Sequence, residues 1–191
     1  AENPRPHRKG LVIDMVTTYS VNGEEIWRQT SAFLGQGAKF TKETPQEVTT
    51  RPEAERFLDF PGDEAGTSTA TLRFTPESTR VYAEASGDKN PIHVSKVGAK
   101  LFGFPATIAH GMYTHARMLS VLEGVLSGAT RITADFYKPV ILPATTGVYV
   151  DQSGADSGDN AGVRGGTRTV TLRKAKDPST LHVAARVEPL A

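Results

Sequence analysis

Four stretches between Thr130 and Glu188 do most to limit the fold. "TRITADFYKPV", "TTGVYVD", "GTRTVTLRKA" and "TLHVAARVE" follow one another, rich in β-branched residues and alternating between apolar and polar. Alternation with a period of two marks strands with one covered face, and a run of them reads as an antiparallel sheet. Such a sheet needs a second layer over its apolar side. The candidate lies upstream in "HGMYTHARMLSVLEGVL", where Met112, Ala116, Leu119, Leu122 and Leu126 recur at steps of three and four, as one helical face. Before it stand "TATLRF", read as a short strand, and "TPESTRVYAEASG", read as a helix with Thr75 as N-cap and Pro76 at the first helical position. "SKVGAKLFG" reads as a short helix ending at Gly103. This order predicts an α+β domain with one long helix packed on a curved antiparallel sheet. The glycine-rich "QSGADSGDNAGVRGG" between two of the strands reads as a mobile surface loop.

The first part of the chain differs. "LVIDMVTTYSV" and "EEIWRQTSAFLG" flank "NGEE", which predicts a β-hairpin over Gly10–Gly35. The basic run "RPHRKG" reads as a solvated strand entrance, with contact to phosphates of a ligand as a weaker reading. Residues 37–68 carry Pro, Thr, Gly and mixed charge with no sustained apolar period, so they read as a linker with a short helical turn near "RPEAERFL". The hairpin resembles the last strands of the downstream unit without its helix. Three segments are therefore expected: 1–36 as terminal strands of an incomplete repeat, 37–68 as linker, and 69–191 as a complete unit.

Bulk properties exclude several classes. The 191 residues carry a net charge of +1, which offers nothing to attract nucleic acid. No apolar run is long enough to cross a bilayer. With no cysteine, disulfides, thiol nucleophiles and thiolate metal sites are all absent, which fits a cytoplasmic protein.

"SGDKNPIHV", Ser86 to Val94, carries the chemistry. Asp88 and His93 stand five positions apart across a rigid Asn-Pro step, with no apolar period around them. An Asp-x-Asn-Pro string alone is more often a polar turn. An acid and an imidazole that share one water are also a general acid–base pair. Asn90 suits ordering of the loop by bonds to backbone groups, and Pro91 stiffens the segment that carries His93.

"YAEASGDKNPIHV" followed by "AKLFGFPATIAHGM" resembles the signature of the MaoC-like, (R)-specific enoyl-thioester hydratases. The pattern is an aromatic residue, then G-D-x-N-P-I-H, then an "AHGM" helix start at Ala109 to Met112. The chain is most similar to the actinobacterial double-hotdog (3R)-hydroxyacyl-thioester dehydratases. That resemblance implies a hotdog fold, a long helix wrapped by antiparallel sheet, present twice with an incomplete N-terminal repeat. It implies reversible hydration of trans-2-enoyl thioesters by Asp88 and His93, with the Gly111 N–H as oxyanion donor and Asn90 and Pro91 as loop supports. It implies acyl-coenzyme A or acyl carrier protein substrates in fatty-acid metabolism. It also implies a partner: a missing N-terminal hotdog segment, or another hotdog copy.

No cofactor is expected. His110 and His115 are five apart on a helix and point to different faces, with no evident third ligand, so no metal is expected. His110 reads as a structural residue at a helix start, His115 as a helix residue and His182 as a strand residue. "GVRGG" lacks the strand-to-helix context of a phosphate loop. Two rival readings are a hotdog thioesterase, against which the G-D-x-N-P-x-H string speaks, and a non-catalytic hotdog scaffold, against which intact Asp88 and His93 speak.

Overall fold

The computed structural model describes residues 1–7, 9–44, 58–59, 62, 66–126, 128–154 and 166–190. The helical turn expected near 51–58 and most of the loop expected at 152–166 lie outside the described residues. Two compact units are present, Ala1–Glu55 and Arg56–Ala191.

The first unit holds a three-stranded antiparallel sheet in the order β1 (Glu2–His7), β2 (Gly10–Val21), β3 (Glu24–Gln36). The hairpin turns at Asn22 and Gly23, both with positive φ (51° and 85°), as a two-residue primed turn requires. The register pairs Ile13 with Phe33 and Tyr19 with Trp27, and a bulge follows Tyr19. β1, read from sequence only as a strand entrance, is a full strand. Its two prolines are compatible with pairing because it is an edge. It is fastened by Asp14, which accepts from Arg5 Nη1 at 2.8 Å and from Asn3 Nδ2 at 2.9 Å.

The second unit is an α+β, hotdog-type fold. It runs β4 (Ala70–Phe74), α1 (Pro76–Ser86), α2 (Pro91–Val94), α3 (Lys96–Leu101) and α4 (Gly111–Leu119). A 3₁₀ turn over Ser120–Leu122 leads to β5 (Thr130–Phe136), β6 (Ala144–Gly154), β7 (Thr167–Lys174) and β8 (Asp177–Pro189). The five strands pair antiparallel in the order β4-β6-β7-β8-β5, and α4 packs against β7. Phe74, Met118, Val148, Val170, Leu172, Val183 and Ala185 form the core between these layers. Thr75 caps α1 in a reciprocal box: its Oγ1 accepts from Ser78 N–H while Ser78 Oγ accepts from Thr75 N–H, with Pro76 in the first turn.

Two expectations need correction. The helix on the sheet is short, nine residues and then a 3₁₀ turn. Its buried face is Tyr113, Thr114, Met118 and Leu122, while Met112, Ala116 and Leu126 are exposed. Of the expected face, Leu122 is buried and Leu119 packs against the core; the rest of the contact with the sheet is made by Tyr113, Thr114 and Met118, and Met112 is left to line a cavity beside the helix start.

Candidate active site

The site grows out of three helix ends. α1 delivers Tyr82 and Ser86 on its last turn. Ser86 Oγ donates to Tyr82 O at 2.8 Å and accepts from Asp88 N–H at 3.3 Å, so the loop leaves the helix in a fixed direction. Asp88 Oδ1 then accepts from Asn90 N–H at 3.2 Å, and Asn90 Oδ1 accepts from Ile92 N–H at 3.3 Å, capping α2. His93 therefore sits on a short helical turn, whereas its sequence neighbourhood suggested neither helix nor strand, and it is buried.

His93 Nδ1 lies 2.9 Å from Ile108 O. A carbonyl can only accept, so Nδ1 carries the proton and neutral His93 keeps its lone pair on Nε2. Burial pushes the His93 pKa down. The Ile108 carbonyl and Asp88 oppose that, and His110 adds to it. At neutral pH the ring is an uncharged base.

His110 was read as a structural residue at a helix start. It precedes α4, is buried, and stacks on His93 with ring centroids 3.7 Å apart and planes 25° from parallel. Its Nε2–H donates to the Asp88 carbonyl at 2.9 Å, and Asp88 Oδ2 is 3.9 Å away. His110 thus pins the Asp88 loop to the start of α4, a link across 22 residues that no local motif announces. Its Nδ1 is buried without a hydrogen-bond partner among the described residues.

Asp88, His93 and His110 each bring one potential ligand atom within 4.8 Å of the others. This set shares only His110 with the His110–His115 pair weighed from sequence. Ligand number is thus satisfied, but orientation is not. An ion about 2.0–2.1 Å from an imidazole nitrogen lies near that ring's plane, and two stacked, nearly parallel rings cannot share one ion without rotating. The same spacing suits a water. Two hydrogen bonds of about 2.8 Å meeting at a tetrahedral angle span roughly 4.6 Å.

These groups open on a cavity of about 410 Å³, walled also by Tyr82, Gly111, Met112 and Phe136. Asp88 is solvent-facing, with its side chain 55% exposed. Gly111 is the first residue of α4, where the N–H has no intrahelical acceptor and the helix dipole is positive. A Cβ built on Gly111 would stand 3.2 Å from the Phe136 ring, so glycine lets that ring close over the helix start. His115, on the next turn, is half-buried with Phe136 edge-on at 6.2 Å, and burial lowers its pKa. Of the residues expected from sequence, Asp88, His93 and Gly111 share this cavity, while Asn90 and Pro91 belong to its supporting turn. Phe136 and Met112 were not foreseen; Tyr82 is the aromatic residue that begins the motif.

An acid and a neutral imidazole thus stand together at a cavity beside a helix N-terminus on a hotdog-type domain. Residues 38–174 match the MaoC like domain, and the chain belongs to that family. It is 43% identical over 150 residues to 3-hydroxyacyl-thioester dehydratase X of Mycobacterium tuberculosis, covering 78% of this chain and 50% of that protein. The crystal structure of HtdX from the same organism superimposes with a TM-score of 0.68 at 38% identity, over 99% of this chain and 64% of that one. A MaoC-like dehydratase from Phytophthora capsici shares the fold, with a TM-score of 0.64 at 16% identity, over 98% of this chain and 62% of that one. The chain thus spans about half the length of the curated relative.

Proposed function

We propose that the chain carries the catalytic unit of a hydro-lyase that reversibly adds water to trans-2-enoyl thioesters to give (3R)-hydroxyacyl thioesters in fatty-acid metabolism. The observation that carries this is the placement of an Asp88 carboxylate oxygen and a His93 ring nitrogen within 4.8 Å, over a cavity bounded by a helix N-terminus. In this reading one water bridges the two groups. Its oxygen bonds the β-carbon and its proton passes to the Asp88–His93 pair. The thioester oxygen, now bearing enolate charge, is held by the Gly111 N–H. The pair returns a proton to the α-carbon as the enolate collapses, so one water has crossed the double bond. Dehydration is the reverse. His110 keeps Asp88 in place and Asn90 keeps α2 in register, while Pro91 sets its first turn.

In the same reading, residues 1–36 are the terminal strands of a first, incomplete hotdog repeat, 37–68 the linker and 69–191 the catalytic repeat. One face of the β1–β3 sheet carries Leu11, Ile13, Met15, Tyr19, Trp27 and Phe33, with the last four exposed. Thr17, Gln29 and Ser31 share this face, but exposed large apolar side chains grouped in this way make a contact surface, and its proposed cover is a hotdog segment, from a longer chain or from a second copy.

Incubation with crotonyl-coenzyme A tests the activity. Loss of the enoyl absorbance without release of thiol is the expected result. Thiol release would turn the assignment to a thioesterase, and no reaction would turn it to a scaffold.

A further inference from the structure

β5 ends at Phe136, and its last two residues face opposite sides of the sheet. Ala134, Val170, Leu172, Val183 and Ala185 pack in or against the core. By alternation Phe136 lies on the core side with Ala134. Asp135, Ala184 and Thr171 then form a row across β5, β8 and β7 on the outer side. Arg173 is on that side too, since its Nε donates to Thr171 Oγ1 at 3.3 Å. All four outer residues are buried. An acid and a guanidinium are therefore buried on the face turned away from α4.

Each of these two side chains holds a backbone group from the stretch before β4. Asp135 Oδ2 accepts from Leu58 N–H at 2.9 Å, across 77 residues, and Arg173 Nη2 donates to Gly62 O at 2.8 Å, across 111. Arg173 Nη1 also donates to Pro178 O at 3.0 Å. Burying such groups is costly unless they are hydrogen-bonded, so the two long-range bonds are where this stretch is fastened. β5 and β7 stand two strand spacings apart, roughly 10 Å, and four extended residues reach about 13 Å. Leu58 and Gly62 are thus placed to tie down across three strands. Both fall in the stretch read from sequence as a linker, yet both belong to the second unit, which begins at Arg56.

The same end of β5 walls the catalytic cavity. Phe136 meets Gly111 there: a Cβ on Gly111 would stand 3.2 Å, 3.3 Å and 3.8 Å from three atoms of the ring. β5 is an edge strand, paired among the described residues with β8 alone, and the ends of such strands open readily. We propose that Asp135 is a positioning residue: by holding Leu58 on the outer face it fixes the end of β5, so that the Phe136 ring stays against Gly111 on the core face. A ring held there keeps water from the oxyanion donor, and a donor in a dry site is worth more. The effect on turnover rests on the hydratase reading; the placement of the ring does not.

The experiment reads the ring and the rate in the whole chain. Asp135→Leu removes the acceptor, and Asp135→Asn keeps one. One Gly111 Hα points where the Cβ would stand, so the ring current of Phe136 displaces its NMR resonance. In Asp135→Leu that resonance should move toward the ordinary glycine range. There kcat for crotonyl-coenzyme A should fall about tenfold, with KM within about twofold. Asp135→Asn should keep both the resonance and the rate. In a Phe136→Leu background Asp135→Leu should cost little more, since Asp135 acts through the ring. Should Asp135→Leu fail to fold, Leu58→Pro, which removes the donor and leaves β5 untouched, takes its place. An unmoved Gly111 resonance overturns the proposal, and so does a moved resonance with unchanged kcat. Equal loss in Asp135→Asn, or full additivity with Phe136→Leu, overturns it as well. If wild type does not hydrate crotonyl-coenzyme A, the hydratase reading falls and the resonance alone decides. Moved in Asp135→Leu and kept in Asp135→Asn, it upholds the placement of the ring by Asp135.

Discussion

In the β1–β3 sheet Tyr19 is 60% exposed, Phe33 58% and Trp27 49%, and the only buried side chain among the described residues is the carboxylate of Asp14. In the β4–β8 sheet Phe74, Val148, Val170 and Leu172 have no exposure at all. Both sheets are antiparallel, and both carry β-branched and aromatic residues in alternation. The difference is the second layer. α1 to α4 turn one sheet into a domain with a core, and those same helix ends present Asp88, His93, His110 and Gly111 to a cavity. Covering the sheet and building the site are thus one structural act in the second unit. Among its described residues the first unit has the sheet and no helix that would do either.

The largest test of this division is chemical. Asp88→Asn and His93→Ala should each lower the hydration rate by roughly a hundredfold to ten-thousandfold, the usual worth of general acid–base catalysis. The double variant should lose far less than the product of the two, because in the proposed mechanism both groups act on one water. Substitutions on the β1–β3 sheet should leave the chemical step alone. A folded Asp88→Asn protein that turns over crotonyl-coenzyme A near the wild-type rate would falsify the assignment.

Stability should divide the same way. Phe74→Ala empties a core position and should cost about 3–5 kcal/mol in denaturant unfolding. Phe33→Ala removes an exposed ring and should stay within about 0.5 kcal/mol, provided the protein is dilute enough to be unassociated. A cost at Phe33 that matches Phe74 under those conditions means that the first sheet is already covered.

Concentration probes that cover directly. An apolar face this extensive favours association, and the chain should scatter light as more than a monomer at high concentration. Trp27→Lys with Phe33→Lys should move the midpoint of association upward by roughly tenfold or more, since each lysine must be desolvated to be buried. An unshifted midpoint would place the contact elsewhere.

Sequence patterns carried the strands well and the helix face poorly, for a physical reason. Strand alternation is strict, so β2 through β8 could be read from their side chains. α4 shows one apolar stripe at steps of three and four, but its buried side also includes Tyr113, Thr114 and Met118. The choice between Met112–Ala116 and Tyr113–Met118 is made by a sheet that lies far away in sequence. β1 was hidden by Pro4 and Pro6, which an edge strand tolerates. Asp88 and His93 were legible because a motif holds them together. The His110 contact with Asp88 was not, because it spans 22 residues and no local motif announces it.

Protonation gives a smaller and sharper contrast. The His93 pKa is lowered chiefly by burial, so the active neutral form should persist below the ordinary histidine range, about pH 6.5. The acid limb of kcat/KM should therefore fall at lower pH than a free imidazole would give. Asp88 opposes the shift, so Asp88→Asn should carry the limb, or the His93 ring titration followed by NMR, lower still. Movement upward in that variant would mean that Asp88 does not act on His93.

The smallest effect is expected in the first unit, where a carboxylate stands in place of a core. Asp14 has its pKa lowered by hydrogen bonds from Arg5 first and then Asn3, with the Arg5 charge helping and desolvation opposing. A carboxyl whose folded pKa lies below its unfolded value stabilises the fold at pH above the unfolded value, and that contribution disappears as pH falls through the folded one. The fastening of β1 to β2 should thus be complete at neutral pH and weaken below the ordinary carboxylate range, about pH 4. Amide exchange should show it as a loss of protection at the β1 residues that pair with β2, Arg5 and His7 among them, while the β4–β8 core is unchanged. Asp14→Asn keeps the shape of the group and removes its titration, so β1 should be loosened at neutral pH and no looser in acid. Acid release of β1 that persists in Asp14→Asn would assign the fastening to another group.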